Sequence, residues 1–282
     1  YFGKNPDKPV VPAVGIYTAI GSESAPGIQF LDSVGMHDLA MRALQYFVEK
    51  QHEDGFMQNF GGYMLETGSV LWSLGEHFRL TRNMEWLNSI KDNIVKACDY
   101  LIKWREKNMD DRYKGGRGYG MIDGKTSDPE DPYHSFMLNS GAYIGLSRAA
   151  EMLDACKDKN AEGIGRVAEE MKRDIREAFR YNIEMSQLIP MGDGTWIPGP
   201  SPWVEMTGPV AMLAKGGKCY SHGSFVGRDM TGTIYLILQE VIAPDEPYAD
   251  VILKFYTEHL CLNNTLFSQP YYSTHPFVHM HR

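Results

Sequence analysis

The sequence predicts an all-α fold, and three of its features support this prediction. Successive segments carry apolar residues at the three- and four-residue spacing of amphipathic helices, whereas alternating strand patterns are few. Long loops rich in glycine and aromatic residues separate these segments. A hydroxyl residue, a glycine and an apolar helix also follow one another four times, at Gly68, Gly141, Gly208 and Gly232, which indicates an internal repeat. Because glycine costs a helix about 1 kcal/mol relative to alanine, the repeat predicts that these helix ends approach one another closely.

The elements can be assigned in chain order. Residues 1–28 contain four prolines and four glycines and are predicted to form an irregular arm with one short strand. Residues 29–282 are predicted to form one domain. Thr81 is the predicted N-cap of its third helix. The predicted helices cover residues 29–50, 67–80, 87–102, 142–153, 164–179, 205–215, 229–241 and 248–255.

Three loops are longer than connections in compact domains usually are. They cover residues 107–133, residues 181–203 and the chain after Leu262. Loops of this length tend to be functional. We therefore expect the functional site to be built from these loops and from the helix starts that follow them.

Composition and charge exclude several classes of partner. The chain has 43% hydrophobic and 23% charged residues and a net charge of −8, with no cluster of basic residues, so nucleic acid and anionic membranes are not expected. No apolar segment is long enough to span a membrane. The four cysteines lack CxxC spacing and are predicted to be structural. No metal and no cofactor are predicted. The compartment stays open, because a secreted or periplasmic protein can have lost its signal.

Two stretches carry a resemblance to a known group of proteins. They are ETGSVLWSLGEHFRLTRNMEWL, residues 66–87, and YHSFMLN, residues 133–139. Together with the order of helices and loops, they resemble the (α/α) toroid of six-hairpin glycosidases. The resemblance implies an inner ring of helices, an outer ring, and a sugar cleft formed by the loops that enter the inner helices. Six hairpins need twelve helices and about eight are predicted here. We therefore expect an incomplete toroid, or part of a longer chain that stops inside a cleft loop.

Glycoside cleavage needs two carboxyl groups, one protonated and one ionised. Eight acidic residues lie in the loops that would enter inner helices. Glu66 and Glu205 are the preferred catalytic residues, since each lies just before a repeated Thr-Gly pair. Asp131, before Pro132 and Tyr133, is the third candidate. The alternative for each is a structural acid favoured by a helix N-terminus.

Aromatic side chains in the same loops are a second signal, because flat rings suit the CH faces of pyranose sugars. The alternative is that they pack the loops against one another. Trp196 and Trp203 lie on either side of a Pro-Gly-Pro turn and are the strongest candidates for a sugar platform. The predicted substrate-binding residues are Trp196, Trp203, Tyr119, Tyr133, His134, Phe56 and Tyr271.

The leading functional prediction is a glycoside hydrolase that acts on an oligo- or polysaccharide. One alternative on the same fold is a polysaccharide lyase or sugar epimerase, in which Tyr119, Tyr133, His134 or His222 would abstract a proton. The other is a non-catalytic carbohydrate-binding or assembly domain. An open ring of helices would then need its apolar inner surface covered, by the rest of a longer chain or by a second copy.

Overall fold

The computed structural model describes residues 19–57, 64–124, 133–205, 233–262 and 265–266, and helices dominate these residues. Two antiparallel strand pairs are β1 (Leu188–Pro190) with β2 (Trp196–Pro198) and β3 (Cys261–Leu262) with β4 (Thr265–Leu266). The all-α prediction is therefore confirmed.

None of the described helices is both long and apolar enough to cross a membrane. The described helices are α1 (Gly21–Ser33), α2 (His37–Glu49), α3 (Glu66–Thr81), α4 (Met84–Lys107), α5 (Phe136–Ala155), α6 (Ala161–Met185), α7 (Ile234–Leu238) and α8 (Pro247–Phe255), with a 3₁₀ turn at Asp111–Tyr113 and a π turn at Tyr256–Leu260.

The chain forms two compact units. The first contains the described residues up to Trp104 together with Gly141–Glu170, and the second contains the described residues of Arg105–Ser140 and those from Met171 onwards.

Helix α3 is the buried centre of the first unit. Its residues from Glu66 to Gly75 are all buried, and α1 and α2 pack against it. Hydrogen bonds to Glu66, Thr67, Ser73 and His77 offset the cost of burying these polar side chains. His77 on α3 places its Nδ1 atom 2.9 Å from the Asp32 carboxylate on α1, and His37 at the start of α2 places Nδ1 at the same distance. Asp32 thus joins three helices through one buried carboxylate.

The repeated glycines Gly68 and Gly141 do lie where two helices approach closely. A Cβ atom on Gly68 would lie only 2.6 Å from the Gly141 carbonyl oxygen, and one on Gly145 would lie 2.6 Å from the Gly68 carbonyl oxygen. The close approach predicted from the repeat is therefore confirmed for this pair. Gly208 and Gly232 lie outside the described residues.

The structure corrects the predictions for residues 21–50 and for one helix cap. Residues 21–28, predicted as part of an irregular arm, belong to α1, and the single helix predicted over residues 29–50 is two helices that break around Gly35. Pro26 is accommodated inside α1 because Ala25, Ile28 and Leu31 are buried, and burial of an apolar face outweighs helix propensity. The division into residues 1–28 and 29–282 otherwise stays a prediction.

The N-cap of α4 is Asn83 rather than the predicted Thr81. The Asn83 side-chain oxygen accepts a hydrogen bond from the Trp86 N–H at 3.0 Å. Thr81 instead donates its hydroxyl to the His77 carbonyl oxygen at the end of α3, and Arg82 ends that helix in the left-handed conformation with φ of 51°.

Aromatic packing and one buried ion pair organise the second unit. Phe136 on α5 packs edge-on against Phe179 on α6 at 5.4 Å, and Phe179 packs against Tyr248 on α8. Arg105 donates a hydrogen bond to Asp174 at 2.5 Å, and both side chains are largely buried. Burial raises the pKa of Asp174, although Arg105 opposes this shift. The contact between Arg105 and Asp174 holds the end of α4 against the middle of α6. The loops that follow these two helices therefore start from a fixed position.

Candidate active site

The candidate site of the second unit begins where two loop segments pair. The Phe136 N–H donates to the Pro202 carbonyl oxygen at 2.9 Å, and the Val204 N–H donates to the His134 carbonyl oxygen at 3.1 Å. An antiparallel bridge joins Ser135 and Trp203 between them. The end of the second long loop is thereby held against the residues that open α5.

This pairing brings Glu205 to His134. The His134 main-chain N–H donates to both Glu205 oxygens at 3.1 and 3.2 Å, and its ring Nδ1 lies 2.5 Å from Oε1. An ionised carboxylate only accepts hydrogen bonds, so in this arrangement Nδ1 is the donor and Oε1 the acceptor. His134 is 2% exposed, whereas 28% of the Glu205 side chain remains exposed. The carboxylate therefore has a fixed orientation and keeps access to solvent.

The glycine-rich loop encloses the His134 ring. Tyr113 packs edge-on against it with 4.9 Å between ring centroids. A Cβ atom on Gly118 would lie 3.0 Å from the ring, and Gly118 has φ of +99°, so glycine is required there for space and for conformation. The Nε2 atom of His134 is buried and has no hydrogen-bond partner among the described residues. A ring held this tightly can orient Glu205 without changing rotamer.

The neighbouring glycines of this loop have the same packing role. A Cβ atom on Gly116 would collide with Tyr181 of α6, and one on Gly120 would collide with Asp174. Close approach to α6 and to His134 therefore explains Gly116, Gly118 and Gly120, whereas Gly115 has open space around it and a φ of +73°.

Tyr133 directly precedes His134 in the chain, and Trp203 lies two residues before Glu205. The Trp203 and Tyr133 rings lie 6.0 Å apart and are tilted. Trp203 is 4% exposed, and Asn182 on α6 donates to its carbonyl oxygen at 3.1 Å. Its indole Nε1 is buried without a hydrogen-bond partner in the described part of the chain. Trp203 thus supports the site from within rather than presenting a free ring face.

Glu66 lies in the first unit and is held differently. It is 1% exposed, and both of its oxygens accept hydrogen bonds from Ser22, from the hydroxyl at 2.9 Å and from the main-chain N–H at 3.1 Å. A Cβ atom on Gly21 would lie 2.9 Å from Oε2. This geometry links the start of α1 to the start of α3, which is a structural role. Its predicted catalytic role stays a prediction.

The remaining predicted residues are dispersed. Phe56 stacks on Tyr100 at 4.8 Å, and burial, assisted by Asp54, raises the pKa of Tyr100 to about 12. Tyr119 lies under the Lys114 ammonium at 5.6 Å. Trp196 is 62% exposed on β2. The predicted residues Asp131, Tyr271 and His222 lie outside the described residues.

Sequence reasoning missed two residues of these arrangements: Ser22, which binds Glu66, and Tyr113, which packs on His134. Ser22 is 44 positions from Glu66 and lay in a stretch predicted to be irregular. Tyr113 reaches His134 from the 3₁₀ turn before the glycine cluster. The position of Tyr113 beside the glycine cluster was the one sequence feature that pointed to this contact. A contact between two loops produces no periodic pattern in the sequence, so it could not be predicted. In the described part of the chain, no group of three or more His, Cys, Asp and Glu side chains could hold a metal ion.

Comparison with solved structures finds a glycosidase fold. A wild-type glycosidase superimposes with a TM-score of 0.50 at 12% sequence identity, and the match covers 92% of this chain and 66% of that chain. A variant glycosidase gives a TM-score of 0.48 at the same identity and coverage. At this identity the first likeness shows the fold alone, and this chain spans slightly less than two thirds of the glycosidase's length. No protein-family model and no curated protein sequence matches the chain.

Proposed function

We propose that the protein is a glycoside hydrolase acting on an oligo- or polysaccharide, and that Glu205 is one of its two catalytic carboxyl groups. The observation that carries the proposal is the fixed Glu205 carboxylate, held by two N–H groups of His134 and still 28% exposed. The fold that the chain shares with a glycosidase supports the same function.

The hydrogen bonds suggest which role Glu205 takes. Both His134 groups donate to its oxygens, so Glu205 suits the ionised member of the pair, which acts as base or nucleophile. The proton for the leaving sugar must then come from a second carboxyl group. Glu66 and Asp131 are the candidates for that role. Measuring the activity of a variant of each residue would show which of them supplies the proton. The distance between the two carboxyl groups sets whether the product retains or inverts its configuration.

His134 acts in this proposal as a positioning residue. Its ring is held by Tyr113 and by the glycine loop, so Nδ1 stays directed at Glu205. Tyr133 and Trp203 pack against each other where the two loop segments pair, and their predicted roles in substrate binding belong to the same proposal. Roles in substrate binding for Tyr119, Phe56, Trp196 and Tyr271 remain part of the proposal.

A substrate screen tests the proposal. The purified protein is incubated with a panel of neutral and acidic polysaccharides and aryl glycosides, and two products are measured together, new reducing ends and the ultraviolet absorbance of unsaturated uronic acids. We expect new reducing ends without that absorbance on at least one substrate. The absence of reducing ends across the whole panel would contradict hydrolysis and favour the non-catalytic binding domain.

One observation favours a second function, a polysaccharide lyase or sugar epimerase. A histidine whose Nδ1 is bound by a carboxylate and whose Nε2 has no described partner resembles a general base with its orienting acid. In that function the residues that cover Nε2 of His134 would first have to move, because this atom is buried. Nε2 would then take the proton from a carbon atom of the sugar, and Glu205 would stabilise the resulting imidazolium.

Two variants of His134 distinguish these functions. The side-chain amide of H134N can still donate to Glu205 from the position of Nδ1, but it offers no basic nitrogen in place of Nε2. A hydrolase should therefore retain most of its kcat in H134N and lose it in H134A. A lyase or epimerase should lose activity in both. Matching thermal unfolding midpoints for the two variants would show that the comparison is between folded proteins.

A further inference from the structure

The β1–β2 hairpin presents an apolar face to solvent. Its register pairs Leu188 with Pro198 and Pro190 with Trp196, so these four side chains share one face of the hairpin. Trp196 is 62% exposed and Leu188 is 60% exposed. The opposite face carries Ile197, which is 9% exposed and anchors the hairpin. The Trp196 side chain has no hydrogen bond and no ring contact with the described residues.

The hairpin turn next to Trp196 in the chain is fixed by hydrogen bonds. The Thr195 N–H and hydroxyl both donate to Asp193, at 2.9 and 2.6 Å, and Gly194 takes φ of +84° to close the turn. The Glu258 carboxylate accepts the Gly192 N–H at 2.6 Å. The backbone that carries Trp196 therefore does not need to become ordered when a ligand covers the ring, which favours binding.

The size of the face limits what can cover it. Trp196 and Leu188 together expose on the order of 250 Å², whereas a stable protein complex buries about 800 Å² on each partner. The face is therefore too small for a lasting protein contact and matches one or two sugar rings, whose CH faces stack on an indole. Among the described residues, the charged groups around the turn include Asp193, Glu258 and Lys254, and Lys254 also pairs with Asp250. This set is net negative and disfavours an acidic ligand.

We propose that this face is a surface binding site for a neutral polysaccharide, in which a pyranose ring stacks on Trp196 beside Leu188. The choice of a carbohydrate rests in part on the proposed function. The site itself is defined by the hairpin, and it would hold the polymer whether or not Glu205 cleaves it.

Affinity electrophoresis tests this inference, with the E205Q variant as the parent so that the polymer stays intact. Migration is measured in gels that contain soluble starch, galactomannan or xyloglucan, and in gels that contain polygalacturonate. We expect retardation by at least one neutral polymer, and W196A should weaken it about tenfold. W196F should keep more affinity than W196A. The matched control is L80A, which truncates another exposed leucine, 58% exposed on α3, and should leave the affinity unchanged.

Several results would overturn the inference. Retardation by polygalacturonate alone would exclude a neutral ligand. Equal retardation of parent and W196A, or none in any neutral gel, would remove Trp196 as a binding residue. Self-association in sedimentation velocity that W196A abolishes would assign the face to a second copy. Because binding is measured in E205Q, an enzyme that fails to hydrolyse any substrate leaves these results interpretable, and an active enzyme without retardation overturns the surface site alone.

Discussion

Substituting Gly68 by alanine tests the close packing of α3 and α5 in the first unit. The new Cβ atom would lie 2.6 Å from the Gly141 carbonyl oxygen and 2.8 Å from the Ala142 nitrogen. Both are backbone atoms, so no side chain can rotate away and the helices must separate by several tenths of an ångström or more. Such overpacking costs about 1–3 kcal/mol. The higher helix propensity of alanine offsets about 1 kcal/mol of this cost. We therefore expect G68A to lower the free energy of unfolding by about 1 kcal/mol.

The matched control is G163A, on α6. A Cβ atom on Gly163 meets no atom within 4 Å, so only the propensity effect remains and the free energy of unfolding should rise by up to about 1 kcal/mol. Gly145 faces Gly68 across the same contact, with a Cβ distance of 2.6 Å to its carbonyl oxygen. The double variant G68A/G145A should consequently lose less than the sum of the single losses, because one separation relieves both clashes.

Urea unfolding followed by circular dichroism measures these effects as shifts of the midpoint at constant slope. A midpoint for G68A equal to or above that of the wild type, with G163A raised as expected, would refute the close approach of the two backbones.

Two further predictions concern charges and thiols. The bidentate hydrogen bond from Arg176 lowers the pKa of Glu246, so its contribution to stability is present above the unfolded pKa and is lost as pH falls through the folded pKa. E246Q should lower stability by up to about 1 kcal/mol at neutral pH and by nothing in acid, whereas E184Q, at an exposed pair on α6, should have little effect. Burial raises the pKa of the Cys98 thiol above its usual value, so alkylation followed by peptide mass mapping should modify the half-exposed Cys156 well before Cys98. Equal pH profiles for E246Q and the wild type, or alkylation of Cys98 first, would contradict these assignments.

The helices that the sequence predicted correctly are those with a strong one-sided pattern. Helix α4 and helix α6 run 24 and 25 residues with charged outer faces, so their periodicity was unambiguous. Helix α3 was recognised from its apolar residues and its Glu-Thr-Gly start. Its buried serines and His77 could not be recognised, because their partners, such as Asp32, lie on another helix.

Residues 21–28 were predicted wrongly for a physical reason. Pro26 and the glycines around it lower local helix propensity, and a single sequence shows only that local effect. The burial of Ile28, which is 1% exposed, and of its neighbours on α1 supplies the compensating energy. This burial free energy depends on contacts with α3, and the sequence around Pro26 does not reveal those contacts.

The candidate site was predictable as a set of residue types but not as an arrangement. Glu205 and His134 were each chosen for their place in a loop, yet they are 71 positions apart and their hydrogen bond follows from the pairing of two loop segments. The buried position of Trp203 follows from the same pairing. The contrasting exposure of Trp196 depends on the side-chain alternation of a hairpin that the sequence did not predict.

The most direct measurement compares the initial rate of reducing-end release by the wild type, E205Q and E184Q, on a substrate that the wild type cleaves. Glutamine keeps the size of Glu205 and can accept hydrogen bonds from His134, but it can neither take a proton nor attack the sugar. We expect E205Q to lose activity by a factor of about 10²–10⁴, with an unchanged thermal midpoint and with E184Q as active as the wild type. A rate for folded E205Q within a few-fold of the wild type would contradict the catalytic role of Glu205.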